Sequence, residues 1–289
     1  MNAILAGKPA VLARFAPWRC ARTRLVRGSA WRTSCTVGAV AFDSRKVAVY
    51  RFGVGACLCI LAGSILSGPG AMLLVALTHP QPDWRNAQLF SSEFHAIQTV
   101  PYFLGLILVG GFVALLSSLH AAAPPALKAR TASGLVFCSV GAALIFQNYV
   151  LQTTFVPALA RNFTAEDAPL IAALSMSNPS SFAWGLEMWG YGFIGVATWL
   201  SSPVFSGGGL ERACAWAFVA NGFTSIAGAG WTVTSPGWVM TAPGLVAFSV
   251  WNGLVVVLVA LTLRALRRRA HQELAHAPLT DVRVGVQDV

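Results

Sequence analysis

One acid, Glu187, falls well inside a long apolar stretch of this chain, with Trp184 three residues before it and Tyr191 four residues after it. A carboxyl group at the centre of a hydrocarbon layer costs about 2.5 to 3.5 kcal/mol, several times what one Leu or Phe returns, so it persists where it is partnered or used. What it offers is proton exchange, either as a general acid toward a lipid-like substrate or as a protonatable partner for a bound compound. Other apolar stretches present hydrogen-bonding groups three or four residues apart, the spacing of one helix face: His95, Gln98 and Tyr102; Asn148 and Gln152; Asn221 and Ser225; with Asn252 on a further stretch. The expected ligand-binding set is therefore Glu187, Tyr191, His95, Gln98, Tyr102, Asn148, Gln152, Asn221, Ser225 and Asn252. If the chemistry is catalytic, Glu187 is the acid and His95 or Tyr102 assists.

Six apolar runs must position these groups, at about 53–78, 99–120, 132–156, 183–205, 212–231 and 238–263. Each is long enough to cross a layer of roughly 30 Å at about 1.5 Å per residue. The chain is 10% charged and 56% hydrophobic. A soluble domain devotes about a quarter of its residues to charge, so a water-exposed surface is excluded. The expectation is an all-α polytopic membrane protein with six transmembrane helices in one bundle and membrane lipids as partners. A partly disordered basic tail (1–51) precedes the transmembrane domain (52–266), and a short tail (267–289) follows it.

The net charge of +10 does not mark a nucleic-acid binder, because residues 1–51 hold ten of the twenty Lys and Arg and one of the ten acids. Such a tail beside a first span fixes orientation and meets anionic headgroups. With the N-terminus inside, alternate connections place eighteen Lys and Arg on that side and only Arg85 and Arg161 on the other. The positive-inside rule then predicts both termini in the cytoplasm, in the inner membrane of a bacterial cell. An organelle transit peptide is the competing reading of the tail.

Several patterns mimic motifs. Gly190, Gly192 and Gly195 match the dinucleotide fingerprint, but they lie within an apolar run rather than between a strand and a helix, so they are read as a surface for close helix contact, which also allows a helix-mediated oligomer. The three lysines, Lys8, Lys46 and Lys128, fall in the tail or a loop, which excludes a retinal-type Schiff base. His95 and His120 stand about 37 Å apart on one helical run and cannot share a haem. His79, Glu93, His95 and Glu187 lack the spacing of a metal site, and no cofactor is expected. Cys57, Cys59, Cys138 and Cys214 read as small packing residues, with Cys20 and Cys35 in the tail.

Two backbone breaks accompany the polar groups, Ser67–Gly68–Pro69–Gly70 in the first run and Pro243–Gly244 in the sixth. Proline removes a donor and frees the carbonyl four residues back, which membrane helices tolerate where protein or a wet cavity satisfies it. Since five runs carry their polar groups in the half away from the basic tail, an outward-opening polar cavity is expected.

The stretch NPSSFAWGLEMWGYGF (178–193), followed by ANGFTSIAG (220–228), resembles multi-span bacterial integral membrane proteins with no assigned activity. The resemblance covers about the C-terminal half and implies the helical bundle, not a reaction. The first functional expectation is a protein that binds or moves a small apolar, neutral or cationic compound. An enzyme acting on an isoprenoid or other lipid through carboxyl acid catalysis is the second, and a non-catalytic sensor or assembly subunit the third. Nucleic acid is not an expected partner.

Overall fold

A computed structural model describes residues 44–275. The expected tail over 1–43, with Cys20 and Cys35, and the end of the chain from 276 lie outside the described residues. Every regular element among the described residues is a helix. In chain order they are α1 (Ser44–Ile65), α2 (Ala71–Thr78), α3 (Ala87–Ser92), α4 (Val100–Ala122), α5 (Lys128–Val150), α6 (Val156–Arg161), α7 (Ala168–Leu174), α8 (Phe182–Ser201), α9 (Gly209–Thr234) and α10 (Ala242–Ala275). A widened turn over Leu66–Gly70 joins α1 to α2, and another over Leu151–Phe155 joins α5 to α6. The first contains Pro69 and the second lies just before Pro157, and a proline ring clashes with the carbonyl four residues back; the extra residue in the turn relieves that clash.

Four continuous stretches are long and apolar enough to cross a membrane: Ser44–Thr78, Ala96–Ala122, Pro125–Arg161 and Ala242–Ala275. Such helices define the outer surface of an integral membrane protein and imply contact with lipid. Two of the six expected spans, α8 and α9, fall outside this set. Their sequences are diluted by glycine, tryptophan, Asn221 and Glu187. The physical reason is position: α8 lies between α5 and α9, so other helices surround much of it, and a helix wrapped in protein need not be as apolar as one wrapped in lipid.

The long helices pack in chain order, α1 on α4, α4 on α5, α5 on α8, α8 on α9 and α9 on α10, and α10 returns to α1. On α5 the buried positions Thr131, Gly134, Cys138, Gly141, Ile145, Asn148 and Gln152 alternate in threes and fours, a seam that stays on one face of a helix. Small residues set how near the partner comes. A side chain at Gly190 of α8 would collide with Ile145 and with the Gly141 carbonyl oxygen, 2.9 Å from the position of its first carbon. On the other side of α8, Gly192 meets Ala229 and Gly195 meets Ser225, both on α9. The fingerprint-like glycines are thus the two contact surfaces of α8.

The connections before α4 and between α5 and α8 form a cap with its own small core, in which Phe90 of α3, Val156 and Ala160 of α6 and Ile171 of α7 are buried together. The loop into α8 is shaped by Asn178, whose side chain donates to the Ala172 carbonyl at 2.7 Å and accepts from the Ser180 amide at 3.1 Å.

Both expected helix breaks differ from their sequence reading. Pro69 and Gly70 are exposed rather than turned toward the other polar groups, and Gly68 alone leaves helical geometry, at φ −85° and ψ −107°. Pro243 breaks nothing, since α10 begins at Ala242 and a proline in a first turn forfeits no helical bond. There the Thr241 hydroxyl accepts from the Gly244 amide at 3.2 Å.

The α5–α8 contact predicts that Gly190→Ala destabilises the protein by about 1 to 3 kcal/mol, because Ile145 must move and the Gly141 carbonyl oxygen beside it is backbone and cannot yield. Gly253→Ala, with open space around it, should be neutral. Thermal unfolding of both variants in the same detergent tests the contrast.

Candidate functional site

Glu187 is 7% exposed, and both its oxygens are engaged. Oε1 accepts from the Tyr149 hydroxyl at 2.8 Å and Oε2 accepts from Asn148 Nδ2 at 3.0 Å, so neighbouring residues of α5 hold the carboxyl of α8 from two sides. These are neutral donors, and among the described residues no cation pairs with Glu187. Beyond Tyr149 the chain of hydroxyls continues to Tyr191, with the two oxygens 3.4 Å apart. Tyr102 of α4 completes the cluster, its ring centre 5.7 Å from that of Tyr149. Gly105 makes room for the Tyr149 ring, which a side chain at that position would strike.

Gln152 ties this network to the cap. Its Nε2 donates to Asn148 Oδ1 at 3.1 Å and to the Leu174 carbonyl at 2.8 Å, while its Oε1 accepts from the Met176 amide at 3.1 Å. The Trp184 indole donates to the Met176 carbonyl at 2.8 Å. The loop before α8 is therefore fastened to the residues that hold Glu187, and the carboxyl is covered as well as paired.

Two cavities adjoin the cluster. One, lined by Gln98, Tyr102, Gln152 and residues of the cap, has about 10 Å³, room for a single water. The other, of about 290 Å³, lies between α8, α9 and α10 and is lined by Tyr191, Trp231, Trp238, Phe248 and Trp251 with small residues between them. Its polar edges are largely committed: Trp251 donates to the Ser225 hydroxyl at 3.0 Å and Trp238 donates to the Thr232 hydroxyl at 2.9 Å. Val250 and Trp231, which are exposed, stand at its rim. The expected polar cavity is thus corrected, since the polar side chains bond to one another and the space for a molecule is apolar and aromatic.

Of the expected site residues, Glu187, Asn148, Gln152 and Tyr191 form one hydrogen-bonded cluster, with Tyr102 against it; Ser225 lines the aromatic cavity. Gln98 reaches the small cavity beside the cluster without bonding to it, and three are placed elsewhere. His95 is exposed, its Nδ1 accepting from the Ile97 amide at 3.3 Å and its ring stacked on His79 at 3.5 Å, so it caps a helical turn and does not reach Glu187. Gln98 closes the same turn and donates to the His79 and Glu93 carbonyls. Asn221 donates to the Thr198 hydroxyl at 3.1 Å, in a separate contact between α8 and α9. Asn252 is exposed and bonds back to the Phe248 carbonyl of its own helix.

Tyr149 was the residue most worth finding. The chain has four tyrosines, and three of them, Tyr102, Tyr149 and Tyr191, gather around Glu187 from α4, α5 and α8. Their scarcity, with one in each of three separate runs, was the available signal. Trp231 and Trp238 pass for an interfacial belt in sequence, whereas here they stack at 4.5 Å against the cavity.

Among the described residues, fold and site together define a helical protein with four stretches long and apolar enough to cross a membrane and a covered carboxyl–tyrosine cluster beside an aromatic cavity. No protein-family model, curated protein or solved structure matches the chain.

The cluster predicts that Tyr149→Phe, which leaves Oε1 of Glu187 without its donor, costs about 1 to 3 kcal/mol of stability. Asn252→Ala should stay within about 0.5 kcal/mol, as for a surface position. Denaturant titration in mixed micelles measures both.

Proposed function

We propose that this chain is a six-span integral membrane protein that binds a small, uncharged, lipophilic compound between α8, α9 and α10. The single observation carrying this reading is the cavity of about 290 Å³ walled by five aromatic residues. Among the described residues its lining contains no Lys, Arg, Asp or Glu, which favours an apolar ligand over an anion or a strongly hydrated cation. Because Val250 and Trp231 are exposed at the rim, the ligand enters sideways, from the hydrocarbon layer. Glu187 stands behind Tyr191 and is held by Asn148 and Tyr149, an arrangement that favours binding over acid catalysis on the ligand itself.

In this reading α8 and α9 cross the bilayer with the four more apolar stretches, residues 52–266 are the transmembrane domain, and both termini are cytoplasmic in a cell inner membrane. The basic residues support that orientation. Lys128 donates to the last carbonyls of α4, Arg130 donates to the Leu200 carbonyl at the end of α8, and Arg269 pairs with Glu211 at the start of α9. One end of the helix set thus collects the cations, while Arg85 and Arg161 accompany the cap.

Two measurements test the proposal. A lipophilic diazirine probe, photolysed in bilayer nanodiscs, should label peptides of α8, α9 and α10, and Ala247→Trp, which fills the cavity, should reduce that labelling at least about ten-fold. Equal labelling of the filled variant would remove the cavity as the site. Reporter fusions should place both ends of the chain on the cytoplasmic face.

A further inference from the structure

The aromatic cavity and the buried carboxyl are joined by one path, Glu187 to Tyr149 to Tyr191, and Tyr191 belongs to both. A tyrosine hydroxyl both donates and accepts, so the direction of a chain of two is set by its end group. When Glu187 is ionised it can only accept. Tyr149 then donates its hydrogen bond to the carboxylate, Tyr191 turns its own O–H toward Tyr149, and the Tyr191 oxygen offers the cavity an acceptor. When Glu187 carries a proton the order reverses: the carboxyl donates to Tyr149, Tyr149 donates to Tyr191, and the Tyr191 hydroxyl points its proton at the ligand.

We propose, resting on the cavity being the ligand site, that the natural ligand is a lipophilic molecule with one uncharged oxygen, a hydroxyl or carbonyl, and that Glu187 selects which of these Tyr191 accepts. Tyr191 is the ligand-contacting residue; Tyr149 and Glu187 are positioning residues that act through it. The ligand's covalent bonds are unchanged; when the chain reverses, Glu187 takes up one proton from solvent as its new O–H, and the two tyrosine hydroxyls rotate.

The surroundings of Glu187 suit this role. Among the described residues, the titratable groups facing it are Tyr102 from α4, Tyr149 from α5 and Tyr191 from its own helix, and the hydrogen bonds to its carboxyl come from the uncharged Tyr149 and Asn148. The indoles of Trp251 and Trp238 already bond to Ser225 and Thr232, which leaves Tyr191 as the polar handle with an adjustable direction. The two tyrosine oxygens lie 3.4 Å apart and either can be the donor, so the direction of this link is free to follow the group at its end.

The test uses three probes with one carbon skeleton, p-menthane, menthol and menthone, titrated into full-length protein in nanodiscs. Tryptophan fluorescence is the readout, and empty nanodiscs correct for partitioning. Menthone can only accept a hydrogen bond, so its affinity should rise about five-fold as pH falls through the titration of Glu187, the worth of one neutral hydrogen bond. Menthol, able to donate or accept, and p-menthane should show no such rise. Glu187→Gln and Tyr149→Phe should each bind menthone without the pH response, and Tyr191→Phe should bind menthone and p-menthane alike. If all three probes bind and menthone is insensitive to pH in the unaltered protein, the selection by Glu187 is wrong while the cavity assignment stands. If none binds, the cavity assignment falls and takes this inference with it.

Discussion

The close approach of α8 to α5 is the constraint from which the rest follows. With no water to drive helices together inside a bilayer, association relies on contact between surfaces, and the Gly141–Gly190 pair lets two backbones meet without intervening side chains. Two turns along α5 from that contact, the same seam presents Asn148, beside Tyr149; one turn along α8 stands Glu187. An antiparallel pair meeting at the glycines therefore brings these three within hydrogen-bonding distance. Any larger residue at the contact would move the helices apart by more than the tolerance of a 2.8 Å bond.

Pairing the carboxyl makes its burial tolerable, and covering it keeps the pairing dry. An unpaired carboxyl would lose the full free energy of its hydration, whereas two neutral donors recover part of it, and the donors are themselves anchored. Asn148 is held by Gln152, and Gln152 by two backbone groups of the cap. The cap's small core around Ile171 is what gives that loop a fixed place from which to do so. A surface loop, a seam and one buried acid are in this way parts of a single structure.

Four of the six expected spans were legible as such because a membrane imposes a length and an apolar composition that few other constraints imitate, while α8 and α9 are helices without that composition. The contact role of Gly190, Gly192 and Gly195 was legible too, since a fingerprint with no strand before it leaves only the packing explanation. The site was half legible. Asn148 and Gln152 could be paired by their spacing, and Glu187 by its isolation, because both are properties of a single helix. Which residues of different helices meet is a property of rotation about each axis, and near-uniform apolar composition hides that rotation. His95 and Asn252 illustrate the failure: a polar residue at the right depth was assigned inward, while one caps a turn and the other bonds to its own backbone. The aromatic cavity was hidden for a related reason, because tryptophan near a helix end looks the same whether it faces headgroups or a pocket.

What distinguishes α8 is that its surfaces do different work. Toward α5 it is polar and closed, with Glu187, Asn148 and Gln152 bonded to one another, to Tyr149 and to the cap; toward α9 and α10 it borders an apolar space large enough for a molecule. Tyr191 lies where these regions meet, its ring edge-on to Trp251 at 4.8 Å and its hydroxyl beside Tyr149. A charge placed directly in the cavity would repel the apolar molecules that the aromatic walls attract, and an acid facing lipid would simply be solvated or neutralised there. Set one tyrosine behind the wall, the carboxyl can change the hydrogen-bonding character of the cavity without bringing its own charge into it. Separation by a relay is thus the arrangement that lets a protonatable group and an apolar ligand share one helix.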